Sequence, residues 1–438
     1  MKFRFVGNKQ SNEAHKAFIP LFCLLLVTVL FASCIIFDSD EFKQEHSLYQ
    51  AKKLWSREIF GENSSLAPLV DGRYCYFPAK NIPGGGSNMT KIDLENGKVQ
   101  WESSRIISTS VQSLHKIGAY IYQMTEFGYI FVFSDSDGKL AASVRLAEKI
   151  EDARYYAGGK YTAVSGYYLF WGNNLTYTDF PKGLLRFDTR IIDFSKVPDE
   201  IQIITPELAW SKQPRILSNI LSEDGKIYFF GESSYNDKSE YIGILTAMDA
   251  ETNTVIWERN MTMFEYRKPS LVLDGKNFLV IDRNPIFVKI GEDIFDVDYN
   301  NSCHDKNTGD IIFLNYNGSF SPDAYSSDFS EVVLYNNCIY YKANITYNDG
   351  DSEIVSLDAE TGKLSSRTFY NGLISVPRLY KGKKYVLTSN GLWIDKSKID
   401  RSIKGDQWSY TFIYKNSFIF NSQETYSNSI FLNAVKCD

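Results

Sequence analysis

From residue 54 onward, hydrophobic and polar residues alternate in short runs that are separated by turn-forming residues. Alternation with a period of two places the apolar side chains on one face of a half-buried strand. The apolar run at 226–230, for example, follows a turn sequence at 223–225, and few helical periodicities occur after residue 50. The pattern therefore predicts an all-β domain of short antiparallel strands joined by tight turns.

One phrase recurs along these predicted strands: an Asp, a turn that ends in Gly, and a following strand that often carries Trp. Its copies contain Asp93, Gly97 and Trp101; Gly138; Asp249, Asn253 and Trp257; Asp305 and Gly309; and Asp358 and Gly362. Such a turn needs one residue with positive φ, which Gly accepts without steric cost and Asn accepts next best. The Asp side chain can accept backbone N–H bonds within the turn. These residues are therefore predicted to be structural, with the two Trp side chains packed between successive repeats.

The spacing of the phrase predicts a single β-propeller. Turn positions recur roughly every 40–55 residues, which suits one four-stranded antiparallel blade each. We count eight blade-like segments, with seven blades as the alternative, and the segments start near residues 60, 108, 152, 212, 266, 320, 372 and 407. The third segment carries an insertion around 188–206. Residues 54–58 and 429–435 each resemble a strand that lacks its partner, so pairing of the two ends would close the ring.

The first 37 residues differ from the rest of the chain and predict export. Basic residues precede an apolar run at 18–37 and acidic residues follow it, as in an export signal or a membrane anchor. The run at 30–34 resembles a bacterial lipobox that ends in Cys34, the predicted site of lipidation. An uncleaved anchor and simple cleavage are the alternatives, since the apolar run is about long enough to span a bilayer. Each alternative places a polar tether (38–53) and a propeller (54–438) outside the cytoplasm.

Composition and charge narrow the function. Hydrophobic residues make up 44% and aromatic residues 15% of the 438 residues, which favours strands and a sizeable core. The net charge of −6 argues against a nucleic-acid partner, which usually needs a concentrated basic surface. Four cysteines follow the signal without any C-x-x-C spacing, so disulfides and buried free thiols both stay open for Cys75, Cys303, Cys338 and Cys437.

Clusters that could carry chemistry have simpler structural interpretations. Cys303, His304 and Asp305 are consecutive, but neighbours on a strand point to opposite faces, and Asp305 aligns with the turn Asp of the repeat. The predicted propeller has one other His, His115, and no zinc motif. We therefore predict no catalytic, metal or cofactor site. Aromatic residues on two long inter-strand segments are the candidate contacts for a protein partner: Tyr177, Phe180, Tyr235 and Tyr241.

The Asp-x-x-x-Gly-Lys-x-x-Trp phrase, complete at 93–101, resembles the repeat of the PQQ-like β-propeller family over most of residues 54–438. This family contains quinoprotein dehydrogenases and non-enzymatic members such as the BamB-like lipoproteins of the outer-membrane β-barrel assembly machinery. A dehydrogenase would imply an adjacent Cys-Cys disulfide and a Ca²⁺ site beside the quinone. The sequence has no adjacent cysteines, and no such ligand set can be placed. The lipoprotein branch implies a lipidated N-terminus, a short tether and one eight-bladed propeller.

Together the pattern and the resemblance predict a non-catalytic, membrane-tethered scaffold for protein–protein interaction. The leading hypothesis, which rests on the resemblance, is an accessory role in outer-membrane β-barrel assembly, with the propeller facing the periplasm or the cell surface. A surface receptor or adhesin for an external ligand is one alternative, and a degenerate quinoprotein oxidoreductase is another. Fold alone does not decide among them.

Overall fold

The computed structural model describes residues 47–48, 50–60, 62–63, 68–80, 87–104, 106, 111–125, 128–146, 162–173, 183–210, 216, 218–235, 241–263, 270–275, 277–286, 289–290, 293–294, 299–315, 332–344, 352–370, 375, 377–395, 398–401, 403, 410–423 and 429–437. These residues form strands and one short 3-10 helix, arranged as eight antiparallel blades in a ring. The predicted all-β propeller is confirmed, with eight blades rather than seven.

The first three blades follow one another along the chain. Ahead of them come β1 (Ser47–Leu48), β2 (Lys53–Phe60) and β3 (Glu62–Asn63). Blade 1 contains β4 (Leu69–Asp71), β5 (Tyr74–Lys80), β6 (Ser87–Asp93) and β7 (Val99–Glu102). Blade 2 contains β8 (Val111–Ile117), β9 (Tyr120–Thr125), β10 (Tyr129–Ser134) and β11 (Leu140–Leu146). Blade 3 and its insertion contain β12 (Thr162–Ser165), β13 (Tyr168–Asn173), β14 (Gly183–Asp188), the helix Thr189–Ile191, β15 (Ile201–Ile204) and β16 (Glu207–Trp210).

The remaining blades repeat the same meander. Blade 4 contains β17 (Leu221–Glu223), β18 (Lys226–Tyr235), β19 (Tyr241–Asp249) and β20 (Val255–Met263). Blade 5 contains β21 (Ser270–Asp274), β22 (Asn277–Ile286), a small hairpin of β23 (Lys289–Ile290) and β24 (Asp293–Ile294), β25 (Tyr299–Asp305) and β26 (Ile311–Asn315). Blade 6 contains β27 (Val332–Tyr335), β28 (Cys338–Asn344), β29 (Ser352–Asp358) and β30 (Leu364–Tyr370). Blades 7 and 8 contain β31 (Arg378–Tyr380), β32 (Lys383–Thr388), β33 (Gly391–Ile394), β34 (Lys398–Asp400), β35 (Thr411–Tyr414), β36 (Ser417–Gln423) and β37 (Ser429–Lys436).

The two ends of the propeller close the ring. Strand β2 pairs antiparallel with β37 and forms the fourth strand of blade 8, with Glu58 opposite Phe431 and Ile59 opposite Ile430. Closure removes the open sheet edge that an incomplete last blade would expose. The predicted pairing of the N- and C-terminal strands is therefore confirmed.

Two blades carry an additional strand that runs parallel to their outermost strand. In blade 2 the insertion of blade 3 supplies β15, which pairs with β11. In blade 7 the segment before the ring supplies β1, which pairs with β34. The backbone N–H of Ala51 also donates to Asp400 Oδ2 at 2.6 Å. The last residues of the segment assigned from sequence to a tether thus lie against blade 7.

The hydrophobic core lies between the blades. Each of the eight junctions between neighbouring blades contains a cluster of buried apolar side chains. At one junction, Tyr228 and Phe230 of blade 4 pack with Leu271 and Val280 of blade 5. Because a blade is covered on both faces, its inner strands become continuous apolar runs, and residues 227–230 are all fully buried. Packing between blades, rather than within one blade, therefore stabilises the ring.

Candidate functional site

The recurring Asp organises the turn that joins the last two strands of a blade. The carboxylate of Asp249 accepts backbone N–H bonds from Glu251 and Thr252 at 3.1 and 2.8 Å. Asp305 and Asp358 accept equivalent bonds. The carboxylate of Asp93 also accepts hydrogen bonds from the Arg73 side chain, and these bonds lower the pKa of this carboxyl to about 2. These aspartates therefore hold the geometry of the turn.

Three Trp side chains lie on the turn glycines of the following blade. Trp101 of blade 1 covers Gly138 of blade 2, and its indole Nε1 donates to the Asp135 carbonyl at 2.8 Å. Trp257 of blade 4 covers Gly309 of blade 5, and its Nε1 donates to the Lys306 carbonyl at 3.0 Å. The third contact is Trp55 of β2 on Gly97 of blade 1. The motif Gly and Trp thus form joints between blades.

Two arginines strengthen the same joints and were not singled out from the sequence. Arg57 Nε donates to the Gly97 carbonyl at 2.9 Å, and Arg259 Nη2 donates to the Thr308 carbonyl at 2.6 Å. Each arginine follows a joint Trp by two residues, so it points to the same side of its strand. The Trp-x-Arg spacing at 55–57 and 257–259 was the signal available in the sequence.

The joint between blades 3 and 4 is polar. Asn253, with a φ of 59°, stands where other turns have Gly, and its Nδ2 donates to Glu207 Oε1 at 2.7 Å. Arg186, opposite Glu207 in the sheet, donates to the carbonyls of Ala250 and Glu251 at 3.0 and 2.5 Å. The Arg186–Glu207 pair therefore links the Asn turn of blade 4 to blade 3, as the Trp side chains link the Gly turns to the preceding blades.

Blade 2 departs from the predicted repeat. Ser134 occupies the place of the turn Asp, since the Gly138 N–H donates to its carbonyl at 2.9 Å. Asp135, one position later, instead accepts from Lys91 Nζ at 2.6 Å and from the Tyr76 hydroxyl at 2.5 Å. Burial raises the pKa of Asp135, but hydrogen bonds from Lys91, Tyr76 and Lys116 outweigh it and hold this pKa at about 2. The carboxylate therefore serves as a charged link between blades 1 and 2.

The consecutive Cys303, His304 and Asp305 do not converge. The Cys303 thiol is buried in the apolar cluster between blades 5 and 6. His304 Nδ1 lies 3.1 Å from the Gly309 carbonyl oxygen and Nε2 lies 2.9 Å from Ser302 Oγ, and burial lowers its pKa to about 4. Asp305 bonds within its own turn. The arrangement holds a turn together and provides no relay from carboxylate to imidazole to thiol.

The other cysteines and the second histidine are also structural in their contacts. Cys75, Cys303, Cys338 and Cys437 are all free thiols, and burial raises the pKa of Cys75. His115 Nε2 lies 3.0 Å from Thr162 Oγ1, and burial lowers the pKa of this imidazole to about 4. Across the ranges given above, no group of three or more His, Cys, Asp or Glu side chains is placed to hold a metal ion.

The aromatic residues predicted to contact a partner are only partly covered by the structure. Tyr177 and Phe180 lie outside the described residues, as does Cys34. Tyr235 ends β18 and Tyr241 begins β19, and the two are opposite each other at the loop end of this hairpin. Among the described residues, no helix is long and apolar enough to span a membrane.

The insertion between β14 and β16 carries several exposed apolar side chains. Fourteen large hydrophobic residues are exposed among all described residues, and five of these fourteen fall between residues 191 and 203. They are Ile191, Phe194, Val197, Ile201 and Ile203, with between 38% and 65% of their surface accessible. Phe194 also stacks on Tyr120 of blade 2, with ring centroids 4.6 Å apart. A concentration of exposed apolar residues on one segment is typical of an interaction site. The position of this insertion was predicted from the sequence, but no role was predicted for it.

Comparisons with known proteins identify the fold. No protein-family model matches the sequence, and no curated protein matches it. BamB from Moraxella catarrhalis is similar over 88% of this chain and 99% of its own, with 12% identity and a TM-score of 0.55. The quinohemoprotein alcohol dehydrogenase from Comamonas testosteroni is similar over 88% of this chain and 76% of its own, with 10% identity and a TM-score of 0.54. The chain therefore shares the propeller fold of both structures.

Proposed function

We propose that this chain is a non-catalytic, membrane-tethered propeller scaffold that binds protein partners. We further propose that it acts as a BamB-like accessory factor in the assembly of outer-membrane β-barrel proteins. The observation that carries the scaffold proposal is the use of the motif residues: the turn Asp, Gly and Trp side chains are occupied in joining one blade to the next. The outer surfaces and the loops of the propeller are therefore the proposed binding regions.

The available surface suits protein recognition. The insertion of blade 3 exposes large apolar side chains, and exposed apolar surface marks sites of protein–protein interaction. Tyr177, Phe180, Tyr235 and Tyr241 remain the proposed contacts on the loops, where aromatic residues would add anchors. The similarity to the BamB structure and the lipobox-like sequence at Cys34 support the specific assignment to β-barrel assembly.

Cross-linked recovery from intact cells tests this proposal. The tagged full-length chain is cross-linked in vivo, purified and analysed by mass spectrometry, with a tagged exported protein of unrelated fold as the control. Specific enrichment of a β-barrel assembly protein is the expected result. Deletion of the gene should then lower the level of outer-membrane barrels and raise detergent sensitivity. Normal barrel levels and detergent resistance in the deletion strain would refute the assembly role.

The similarity to quinohemoprotein dehydrogenase structures favours a second candidate, a degenerate quinoprotein oxidoreductase. Spectral titration of the purified chain with PQQ and Ca²⁺ separates the two candidates. Saturable binding would support the oxidoreductase, and a flat titration would eliminate it. The absence of adjacent cysteines favours the scaffold, since the resemblance to dehydrogenases implies such a pair.

A further inference from the structure

One side of the blade 3 insertion is fixed firmly to blades 2 and 3. Ile192 is buried in the apolar cluster between these blades, and Ile204 packs against the same cluster. The buried Gln202 exchanges two hydrogen bonds with the backbone of Asp193, at 2.9 and 2.8 Å. Ser143 Oγ of β11 donates to the Pro198 carbonyl at 2.8 Å. The inner side of the insertion is therefore bound to blades 2 and 3 by apolar packing and hydrogen bonds.

The other side of the insertion presents apolar groups to solvent. On β15 the exposure alternates, so Ile201 and Ile203 are 48% and 59% exposed while Gln202 between them is buried. Val197, just before the strand, is 65% exposed. Half-buried strands ordinarily turn apolar residues inward and polar residues outward. Strand β15 does the reverse on this face, and solubility alone gives no reason for it.

Among the strands that the structure describes, β15 is also a sheet edge. It is the terminal strand of the five-stranded sheet β15-β11-β10-β9-β8. Unpaired edge strands accept further strands, and partners with extended segments exploit this by strand addition. The molecule itself extends blades in this way, since β15 adds to β11 and β1 adds to β34. An extended segment that pairs with β15 would cover Ile201 and Ile203 with its own side chains.

Charge on the insertion indicates which segment fits. Residues 188–204 contain four acidic and two basic residues, a net charge of −2. Both bases are already paired, Arg190 with Asp188 at 2.7 Å and Lys196 with Glu200 at 3.4 Å. Asp193 and Asp199 supply the remaining negative charge of the insertion. The base of the neighbouring strand, Arg145 opposite Ile203, is directed to the Tyr129 ring, with its guanidinium carbon 5.7 Å from the ring centroid. A second copy of this chain would bring like charges together in a symmetric pair, which disfavours self-association.

We propose that the outer edge of β15 binds an extended segment of a partner protein in which apolar residues alternate with Lys or Arg. Its apolar side chains would pack on Ile201 and Ile203, and its basic side chains, on the other face, would lie near Asp193, which Gln202 contacts. This inference rests on the proposed scaffold function and specifies the kind of partner that the scaffold recognises.

Peptide binding to the detergent-solubilised full-length chain tests the inference. One labelled peptide alternates Val and Lys over eight residues, and a second has the same composition with all Val before all Lys. The test variant carries Ile201→Asn and Ile203→Asn. The matched control carries Ile311→Asn and Ile312→Asn on β26, another terminal strand with exposed apolar side chains. Thermal unfolding of each variant verifies that the ring is intact.

The alternating peptide should bind the natural chain about tenfold more tightly than the block peptide, because only alternation matches a strand edge. The Ile201/Ile203 variant should lose about tenfold or more of that affinity, and the β26 control should stay within about twofold. Asp193→Asn keeps the side-chain oxygen that accepts from Ser195 but removes the charge, so it should weaken binding and reduce its salt dependence. Equal binding of the two peptides, or undiminished binding by a folded Ile201/Ile203 variant, would overturn the inference.

A photo-cross-linking experiment tests the same site with the sequence of β15 unchanged. A photoreactive residue placed at Val197 should label the bound peptide, whereas one placed at the exposed Phe369 of β30 should not. Equal labelling from both positions would count against the site. If peptide binding fails while cells still yield a β-barrel assembly partner, only this inference falls. If the peptide binds as expected and no such partner is found, only the assembly role falls.

Discussion

The indole of Trp101 covers Gly138 so closely that a Cβ on this glycine would lie 2.5 Å from the ring carbon Cε3. Gly309 stands in the same relationship to Trp257. In both joints the indole N–H also donates to a carbonyl of the turn it covers. The Gly of one blade and the Trp of the preceding blade are therefore a single packing unit. This is why the two residues recur together along the sequence.

Replacement of Gly138 by Ala should destabilise the ring more than the same replacement of Gly118, which lies in the turn between β8 and β9. Gly138 has a φ of +70° and lies under Trp101, whereas Gly118 has a φ of +59° with nothing within 4 Å of its Cβ position. Both substitutions place an L residue at positive φ, at about 1 kcal/mol each. Gly138→Ala should cost a further ~1–3 kcal/mol because the indole must move. Urea unfolding of the two variants measures the difference, and equal losses would contradict the joint.

Ring closure by β2 makes a prediction within one strand. Ile59 is 1% exposed in the cluster between blades 8 and 1, whereas Leu54 of the same strand is 42% exposed. Ile59→Ala should lower the free energy of unfolding by about 2–5 kcal/mol, since it leaves a cavity at the closing junction. Leu54→Ala should change it by about 0.5 kcal/mol or less. Similar losses at the two positions would mean that β2 does not close the ring.

The fully buried His304 and the partly buried His115 predict a loss of stability in mild acid. Burial lowers the pKa of His115 and of His304 to about 4, below the value of an unfolded histidine. The unfolded chain therefore binds more protons between pH 6.5 and 4, and stability falls as the pH drops through this window. Protonation of the unfolded chain at His304 lowers the free energy of unfolding by roughly 3 kcal/mol at pH 4, and the partly buried His115 acts in the same direction. The fall in the free energy of unfolding between pH 7 and pH 4 should be smaller in the His304→Gln variant than in the natural chain. An equal fall in both would show that His304 does not cause the acid sensitivity.

The turn carboxylate of Asp93 predicts a separate effect at lower pH. Hydrogen bonds from Arg73 lower its pKa to about 2, so its contribution is present above the unfolded pKa near 4 and is lost as the pH falls towards 2. Asp93→Asn should be less stable than the natural chain at pH 7, and the gap should narrow between pH 4 and 2. Acid unfolding followed by Trp fluorescence measures the gap. A gap that stays constant would show that Asp93 acts without its charge.

Much of the fold could be predicted from the sequence because its signals are local. Alternation gives the strands, the Asp and Gly of a turn lie within five residues, and their spacing gives eight blades. The joints depend on contacts between blades, so sequence reasoning missed Arg259 and the Arg186–Glu207 pair. It also could not place Asp135, because Ser134 takes the Asp position of the turn. These roles follow from which blade lies next to which residue.

The exposed apolar surface of β15 could not be predicted from the sequence, for a different reason. The sequence Ile201-Gln202-Ile203-Ile204 reads as an ordinary half-buried strand with its isoleucines inside. In the structure Ile201 and Ile203 face solvent and Gln202 is buried, because Gln202 bonds to the backbone of Asp193. Only the folded insertion shows which face of β15 is outward. Its position was predicted, and its exposure was not.

The most direct test of the proposed scaffold is cross-linked recovery of partners from intact cells that express either the natural chain or the Ile201→Asn/Ile203→Asn variant. We expect a β-barrel assembly protein to be enriched with the natural chain, and its recovery to fall by about tenfold or more with the variant at equal expression. Failure to enrich any assembly protein with the natural chain, under conditions in which other membrane complexes are recovered, would contradict the assembly role.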